Sequence, residues 1–225
     1  MLELFMQPAS TFAGDVDFLV NLVAVLTFFW GGLSAAVFFW LIWRFRYREG
    51  VRAQYVTGNE PDLKRFITYP HYLIIVCDLA IIAFAVQTWY KIKQDMPEPE
   101  NEVRIVAQQW AWSFVDPGAD GKLGTDDDIK TVDDLHVEVD KVTKYTLVSR
   151  DVLHDFSVPV FRLKQDAIPG REITGWFEPT VVGDFDIQCA EMCGIGHGIM
   201  GARIHVETAE QHKAWIESMS KVATN

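Results

Sequence analysis

The sequence has few cysteines and few basic residues, and each shortage excludes a class of protein. Its 225 residues include three cysteines, Cys77, Cys189 and Cys193, and no Cys-x-x-Cys-His segment, so a covalently attached c-type haem is not expected. Lysine and arginine number 20 against 31 aspartates and glutamates, which gives a net charge of −11. Because an acidic surface repels nucleic acid, we expect no nucleic-acid partner.

Two long segments lack charge almost completely. Residues 18–43 contain no charged side chain, and residues 66–90 contain one acid, Asp78. Both are long enough to cross a bilayer as helices of 1.5 Å rise per residue. The first 17 residues contain no lysine or arginine, so they lack the basic start of a signal peptide and we expect the first helix to be retained.

The basic residues indicate how the two helices are oriented. Residues 44–65 hold six arginines and lysines, and short basic loops lie in the cytoplasm. Both termini are then extracytoplasmic. We predict an N-terminal tail (1–17), a transmembrane helix (18–43), a cytoplasmic loop (44–65), a second transmembrane helix (66–90), a linker (91–101) and an extracytoplasmic domain (102–225).

The pattern after the linker is that of short strands. Apolar and polar residues alternate in residues 135–140, and similar runs cover 102–107, 144–149, 183–188 and 201–207. Short strands separated by turns predict a β-sandwich or barrel. Thr208-x-x-Gln211 is typical of a capping box and predicts a last helix to about Met219. The fold class is therefore α+β, with a transmembrane helical hairpin followed by a β-domain.

One short loop holds four side chains that bind soft metals. Cys189, Cys193, His197 and Met200 are spaced Cys-x3-Cys-x3-His-x2-Met. Thiolate, imidazole and a weak thioether together suit an electron-transfer copper site, with either one ion or two ions bridged by both thiolates. A Cys189–Cys193 disulfide and a structural zinc site remain alternatives.

Two upstream segments could complete such a site. His154 lies between strand-like runs, 35 residues before Cys189, and could supply a second imidazole. His136, His205 and His212 are competitors, although their strand and helix patterns favour surface positions. In a strand, Trp110 would share a face with Trp112 and Phe114, which is usually core, but an exposed indole beside a metal site is suited to receiving electrons.

The segment from Asp116 to Asp128 is dense in carboxylates and glycines. Its spacing resembles that of calcium-binding loops, although the EF-hand pattern does not fit. We favour a solvated acidic loop and keep a calcium site as the alternative. The candidate calcium ligands are Asp116, Asp120, Asp126 and Asp128.

Four blocks, in this order, resemble subunit II of the haem-copper cytochrome c oxidases. They are residues 109–114 (QWAWSF), 153–159 (LHDFSVP), 163–171 (LKQDAIPGR) and the loop 188–200 (QCAEMCGIGHGIM). The resemblance covers most of the chain. It implies that residues 102–225 form a cupredoxin-like domain that carries a binuclear copper-A centre with two copper ions.

The resemblance also implies roles for individual residues. Electrons would enter at Trp110, and the Glu191 side chain would bind a magnesium ion shared with subunit I. Lys164, Asp166 and Arg171 would lie near the subunit I interface. The implied copper ligands are the thiolates of Cys189 and Cys193, the imidazoles of His154 and His197, the thioether of Met200 and the backbone carbonyl of Glu191.

The function implied by the resemblance is that of the subunit of cytochrome c oxidase that receives electrons from cytochrome c. It would pass them to haem in subunit I, where oxygen is reduced to water with proton translocation. From Lys91 onward the chain has 14 basic and 24 acidic residues, which suits a basic donor. Subunit I, other oxidase subunits, cytochrome c and membrane lipid are the implied partners. We expect a bacterial plasma membrane, with the domain on the periplasmic side, rather than the mitochondrial inner membrane.

The chain departs from the family pattern before the second helix. The family's Glu-x-x-Trp-Thr, whose glutamate stands at a proton-input path, is replaced by Lys64-Arg65-Phe66-Ile67-Thr68. Asp78 is a speculative substitute. The acidic insertion from Asp116 to Asp134 would alter the surface that meets the donor. A membrane-tethered copper chaperone or storage protein is the alternative from another class, and its site would be open and labile.

Overall fold

Two long helices precede the β-domain. The computed structural model describes residues 6–223; residues 1–5 of the predicted tail and 224–225 of the predicted domain lie outside the described residues. Helix α1 spans Ala13–Arg44 and α2 spans Pro61–Trp89, followed by a π-helical turn at Tyr90–Gln94. Both are long and apolar enough to cross a membrane. Helix α1 begins at Ala13, before the predicted start at residue 18, because its first turn is not part of the apolar run.

Helix α2 and the part of α1 from Phe18 onward form one compact unit, residues 18–89. Most of their large apolar side chains are exposed on all sides of the helices, which is the pattern of membrane-spanning helices. Phe18 and Phe84 make an edge-to-face contact at 5.2 Å between ring centroids. Pro70 lies inside α2, and the Thr68 hydroxyl donates to the Lys64 carbonyl one turn earlier.

In the described part of the chain, the second unit contains ten strands in two five-stranded sheets. The first sheet has the order β3-β2-β1-β5-β8 and the second has the order β4-β10-β9-β6-β7. The strands are β1 (Asn101–Gln108), β2 (Ala111–Asp116), β3 (Ile129–Val132), β4 (Asp134–Glu138), β5 (Thr143–Ser149), β6 (His154–Val158), β7 (Leu163–Ala167), β8 (Ile173–Phe177), β9 (Gly183–Cys189) and β10 (Gly201–Glu207).

The predicted strands are found within two residues of their expected ends. β1 pairs with β5 in parallel, β10 pairs with β4 in parallel, and the other pairs are antiparallel. The inward faces of the two sheets form the hydrophobic core, in which Trp112, Phe114 and Phe156 are completely buried. Three of the predicted copper ligands, Cys189, Cys193 and Met200, belong to this buried cluster.

The last element is the predicted helix, α3, at Ala209–Ala223. Its capping box is present, since the Thr208 amide donates to Gln211 Oε1 at 2.9 Å and the Gln211 amide donates to Thr208 Oγ1 at 3.3 Å. The two reciprocal bonds satisfy amides that have no partner within the helix. The capping box therefore fixes the start of α3 at the end of β10.

The N-terminal segment, residues 6–17, belongs to the β-domain unit rather than forming a free tail. Ala9 donates its amide to the Val160 carbonyl at 2.9 Å and accepts from the Thr180 amide at 3.0 Å. Phe12 is 1% exposed and contacts Trp176 edge-to-face at 5.4 Å. The core of this unit therefore includes Ala9 and Phe12 of the predicted N-terminal tail.

The N-terminal segment ends in a buried ion pair. Arg162 Nε and Nη2 donate to the two carboxylate oxygens of Asp17 at 2.7 and 3.0 Å, and both side chains are at most 5% exposed. The same guanidinium also donates to the Met6 and Pro159 carbonyls at 2.9 Å. A planar guanidinium can make these four bonds at once, which a lysine cannot.

Candidate metal centre

Strand pairing brings His154 to the cysteine loop. β9 ends at Cys189, β10 begins at Gly201, and the loop between them contains a 3-10 turn at His197–Ile199. β6 begins at His154 and pairs with β9, with Phe156 opposite Cys189. The ends of three neighbouring strands therefore meet where the predicted ligands lie.

The two cysteines approach each other without forming a disulfide. Their sulfur atoms are 3.7 Å apart, whereas a disulfide bond measures about 2.05 Å. Both cysteines are free, and they are 9% and 3% exposed. Two buried thiols at this separation are placed to share metal ions rather than to close a covalent bridge.

The other donor atoms divide between the two sulfurs. His154 Nδ1 lies 3.9 Å from Cys189 Sγ, and the Glu191 carbonyl oxygen lies 3.3 Å from the same sulfur. His197 Nδ1 and Met200 Sδ each lie 3.8 Å from Cys193 Sγ. Each sulfur is therefore accompanied by one imidazole nitrogen and one weaker donor.

The donors do not converge on one point. Among the described residues, the metal-binding atoms of His154, Cys189 and Cys193 lie within 4.8 Å of one another, and His197 is not part of that group. A single tetrahedral zinc ion would need all four strong donors at one centre. The donor set, rich in sulfur and with a thioether, fits two copper ions better.

The free thiols must lose protons to bind a metal. Burial, with the hydrogen bond to Cys189 as the next cause, raises the pKa of the Cys193 thiol to about 11. At neutral pH the metal-free thiol therefore keeps its proton. Metal binding has to displace that proton, as it does wherever thiolates are the ligands.

A carboxylate that the sequence analysis missed orients His154. Asp151 Oδ1 lies 2.8 Å from His154 Nε2, so that Nδ1 faces Cys189. Burial opposes ionisation of Asp151, but hydrogen bonds from the Gln109 amide, from His154 and from the Val152 amide together lower its pKa. The ionised carboxylate fixes the imidazole, in the way that outer carboxylates orient metal-binding histidines.

Trp110 lies against the loop that carries the cysteines. Its Nε1 is 3.4 Å from the Cys193 carbonyl oxygen, and the Gln109 amide nitrogen Nε2 donates to the same oxygen at 2.7 Å. A methyl group on Gly196 would stand 2.4 Å from the indole, so the ring rests on that glycine. Trp110 is 38% exposed, whereas Trp112 and Phe114 are buried, so the three aromatics do not share one environment.

The loop also presents apolar side chains outward. Met192, Ile195 and Ile199 are 72%, 96% and 85% exposed. Together with Trp110 they make the edge of the domain apolar close to the thiols. Exposed apolar side chains that cluster in this way are typical of a protein interaction site.

The other residues singled out in the sequence are the predicted magnesium ligand, the residues predicted near subunit I and the predicted calcium ligands. The Glu191 side chain is exposed, as are Lys164, Asp166 and Arg171. In the acidic insertion, Asp120, Asp127 and Asp128 accept hydrogen bonds from amides of their own loop. Asp116 is buried at the end of β2. No three of these carboxylates in the described chain meet within 4.8 Å, and calcium binding stays a prediction.

The competing histidines are outside the thiol site. His136 and His212 each place Nδ1 against a carboxylate oxygen of Glu207, at 2.8 and 3.1 Å. His205 lies between Asp134 and Asp184. Among the described residues, none of these three histidines belongs to the cluster formed by His154, Cys189 and Cys193.

Comparisons with known proteins show which family the chain resembles. A family model described as cytochrome c oxidase subunit II, periplasmic domain, matches residues 101–208. The alternative cytochrome c oxidase subunit 2 of Bradyrhizobium diazoefficiens is 33% identical, over 96% of this chain and 84% of that protein. Cytochrome c oxidase subunit 2 of Cereibacter sphaeroides is 27% identical, over 94% of this chain and 77% of that protein.

A solved structure has the same fold as the β-domain. The periplasmic domain of subunit II of cytochrome oxidase from Bradyrhizobium japonicum matches with a TM-score of 0.50 and 28% identity, covering 56% of this chain and 98% of that chain. The predicted cupredoxin-like domain after two apolar helices is thereby confirmed.

Proposed function

The chain belongs to the cytochrome c oxidase subunit II family, and from this premise we propose that it accepts electrons from cytochrome c at a binuclear copper-A centre. It is a membrane-bound subunit of a haem-copper oxidase, an oxidoreductase complex, and carries a periplasmic domain. The electrons would pass to haem in subunit I, where oxygen is reduced to water with proton translocation.

One observation carries the proposal, namely the division of donors between two sulfurs 3.7 Å apart. His154 and the Glu191 carbonyl accompany Cys189, while His197 and Met200 accompany Cys193. These six groups would hold two copper ions. Copper bound in this way would supply one-electron transfer with little change of geometry. The exposed Glu191 side chain would bind magnesium together with subunit I.

The protein's own part is to hold the donors rigidly and exclude water. Asp151 fixes the His154 ring, and the core around Phe156 keeps the thiols dry. Trp110 is exposed on one side and contacts the Cys193 peptide on the other, so it offers electrons a route across the edge of the domain. The acidic surface and the apolar side chains of the loop would dock a basic cytochrome.

The packing of the N-terminal segment bears on how the chain is oriented in the membrane. Because residues 6–17 pack into the β-domain, we infer that the N-terminus lies on the periplasmic side with that domain. The basic loop between α1 and α2 then lies in the cytoplasm, in accord with the positive-inside rule. The proposed divisions remain 18–43 and 66–90 for the spans, 44–65 for the loop and 102–225 for the copper domain.

A metal count tests the proposal directly. We expect the full chain, purified in detergent and given copper, to bind two copper ions, to turn purple and to show a seven-line electron paramagnetic resonance signal. The variant Cys77→Ser is the control, since Cys77 lies in α2 and is not among the proposed ligands, and it should behave identically. A colourless protein with one zinc ion, or a cystine at 189 and 193, would contradict the proposal.

Substitutions that remove or displace the indole test the role of Trp110. We expect Trp110→Phe and Gly196→Ala each to slow electron uptake from reduced cytochrome c by about tenfold or more, a barrier increase of roughly 1.4 kcal/mol. Phenylalanine lacks the ring that reaches the Cys193 carbonyl, and alanine at 196 would displace that ring. Stopped-flow spectroscopy measures the rate.

Gly198→Ala provides the matched control, since nothing lies within 4 Å of a methyl group at that position. It should keep the wild-type rate, and all three variants should keep the copper spectrum. Unchanged rates in both Trp110→Phe and Gly196→Ala would mean that electrons enter elsewhere.

A further inference from the structure

The segment that joins α1 to α2 is rich in arginine. Residues 44–65 hold six bases against three acids. Helix α1 ends at Arg44 and α2 begins at Pro61, so the segment follows directly on one apolar helix and precedes the other. When α1 spans a bilayer, the residues after Arg44 lie at the level of the lipid headgroups. Four of the bases fall within nine residues there, and they are Arg44, Arg46, Arg48 and Arg52.

Exposed aromatic rings accompany these arginines. Trp43, Phe45 and Tyr47 are 60%, 68% and 90% exposed. Arg46 Cζ lies 5.3 Å from the centroid of the Trp43 ring, and Arg44 Cζ lies 5.4 Å from that of the Phe45 ring. A guanidinium that lies over a ring uses its face, so N–H groups in its plane stay available to an anion. Tryptophan and tyrosine are also the residues enriched at the surface of a bilayer.

The arginines have no carboxylate partner within the chain. Among the described residues, none of the bases at 44–65 forms an ion pair, whereas six bases of the β-domain unit do, namely Lys91, Arg104, Lys141, Lys144, Arg162 and Arg203. The two oxygens of the Glu60 carboxylate accept hydrogen bonds from the amides of Thr57 and Gly58, each at 2.9 Å. Hydrogen bonds, first that from the Thr57 amide, lower the pKa of Glu60 to about 2. This acid is therefore ionised but bound to its own loop.

We propose that residues 43–52, the juxtamembrane segment, bind the phosphate diester of an anionic phospholipid such as phosphatidylglycerol. The guanidinium groups of Arg44 and Arg46 would donate in pairs to the phosphate oxygens. The other two arginines would add positive charge, which attracts anionic headgroups. The ammonium group of phosphatidylcholine would be repelled by the same arginines. The inference requires that α1 spans the bilayer and does not depend on the proposed copper chemistry.

Electron spin resonance of spin-labelled lipids tests the proposal on the full chain in phosphatidylcholine vesicles. The spectra give the association of labelled phosphatidylglycerol relative to labelled phosphatidylcholine. We expect the wild type to prefer phosphatidylglycerol by about fivefold or more, because one exposed charge contact contributes up to about fivefold to an equilibrium constant. The preference should disappear at about 1 M salt, where charges are screened beyond about 3 Å.

Substitutions distinguish a site from general attraction by positive charge. Glutamine at all four positions (Arg44→Gln, Arg46→Gln, Arg48→Gln and Arg52→Gln together) should abolish the preference. Lysine at the same four positions keeps the charge but loses the paired donors and the contact with the rings, so it should lower the preference by about twofold or more.

Two bases near the other end of α2 give the matched control. Lys91 forms an ion pair with Asp15, and Lys93 Nζ donates to Gln165 Oε1 at 2.6 Å, so both already have partners. The double variant Lys91→Gln and Lys93→Gln should keep the wild-type preference. Circular dichroism establishes that each variant is folded.

Several results would overturn the proposal. These are equal association of the two lipids with the wild type, a full preference in the four-glutamine variant and a full preference in the four-lysine variant. Loss of the preference in inorganic phosphate, but not in chloride of the same ionic strength, would indicate a site for free phosphate instead. Loss of the preference in the purified oxidase would mean that an acidic segment of another subunit covers the arginines.

Discussion

Replacing Cys193 by serine is expected to abolish binding of both copper ions and, with it, electron uptake from cytochrome c. Cys193 Sγ lies within 3.8 Å of three other proposed ligand atoms, which are Cys189 Sγ, His197 Nδ1 and Met200 Sδ. A serine hydroxyl is a harder and weaker donor for copper. Because losing even an outer partner costs 10–100-fold in metal affinity, we expect a loss of more than about a hundredfold.

The loss is measured as copper bound per chain and as the rate of reduction by cytochrome c. Cys77→Ser again separates the effect of this position from the general effect of removing a thiol. Met192→Leu is a second control, since that side chain is in the same loop but is 72% exposed. If Cys193→Ser kept two copper ions and a wild-type rate, the two-sulfur arrangement would be unnecessary and the proposed centre wrong.

The second large effect concerns stability. We expect Arg162→Ala to lower the free energy of unfolding of the β-domain by about 3–5 kcal/mol, because removing one partner of a buried ion pair leaves the other charge uncompensated. Asp17 would then be a carboxylate at 1% exposure without its guanidinium. Denaturant unfolding of the full chain, followed by the fluorescence of the domain's tryptophans, measures the loss.

A surface ion pair in the same domain gives the matched control. Arg203 Nη1 lies 2.6 Å from Asp186 Oδ1, and the two side chains are 57% and 61% exposed. Arg203→Ala should cost less than about 1 kcal/mol, as exposed pairs do. In a double-mutant cycle, Asp17→Ala should add little to Arg162→Ala. Full additivity, or equal losses at Arg162 and Arg203, would mean that the N-terminal contact does not stabilise the domain.

This contact determines which fragment can be studied. A fragment beginning at Glu100 keeps all ten strands but lacks Ala9, Phe12 and Asp17. It would expose the surface that Phe12 covers on Trp176 and leave Arg162 without its carboxylate. The full chain is therefore the proper material for the metal count and the unfolding experiments.

The parts of the site that the sequence predicted are those whose signal is local. Cys189, Cys193, His197 and Met200 lie in one short loop, and their donor types indicate a metal without any knowledge of the fold. Strands such as β10 alternate apolar and polar residues because one face is buried, so their positions could also be predicted. His154 lies 35 residues before Cys189, so no local signal connects the two residues. The resemblance to the family was what supported His154 as a ligand.

The parts that were missed depend on contacts between distant segments. Residues 6–17 carry no basic residue and no strand pattern, so nothing local distinguishes them from a free tail, yet Ala9 pairs with Val160. Asp151 resembles any solvated loop acid until the fold brings it to His154 and Gln109. Likewise, Asp116 belongs by sequence to an acidic loop, and its burial at the end of β2 follows from the pairing with β3.

The packing of residues 6–17 also imposes an order on biosynthesis. The ribosome makes this segment before the two helices. Its contact partners are made only after both helices, and they are Val160, Arg162, Trp176 and Thr180. Contacts so far apart along the chain form slowly, since a long loop must close before they are gained. In the proposed topology this segment must therefore wait outside the cytoplasm for its partners, and the β-domain can complete these contacts only after Thr180 has crossed the membrane.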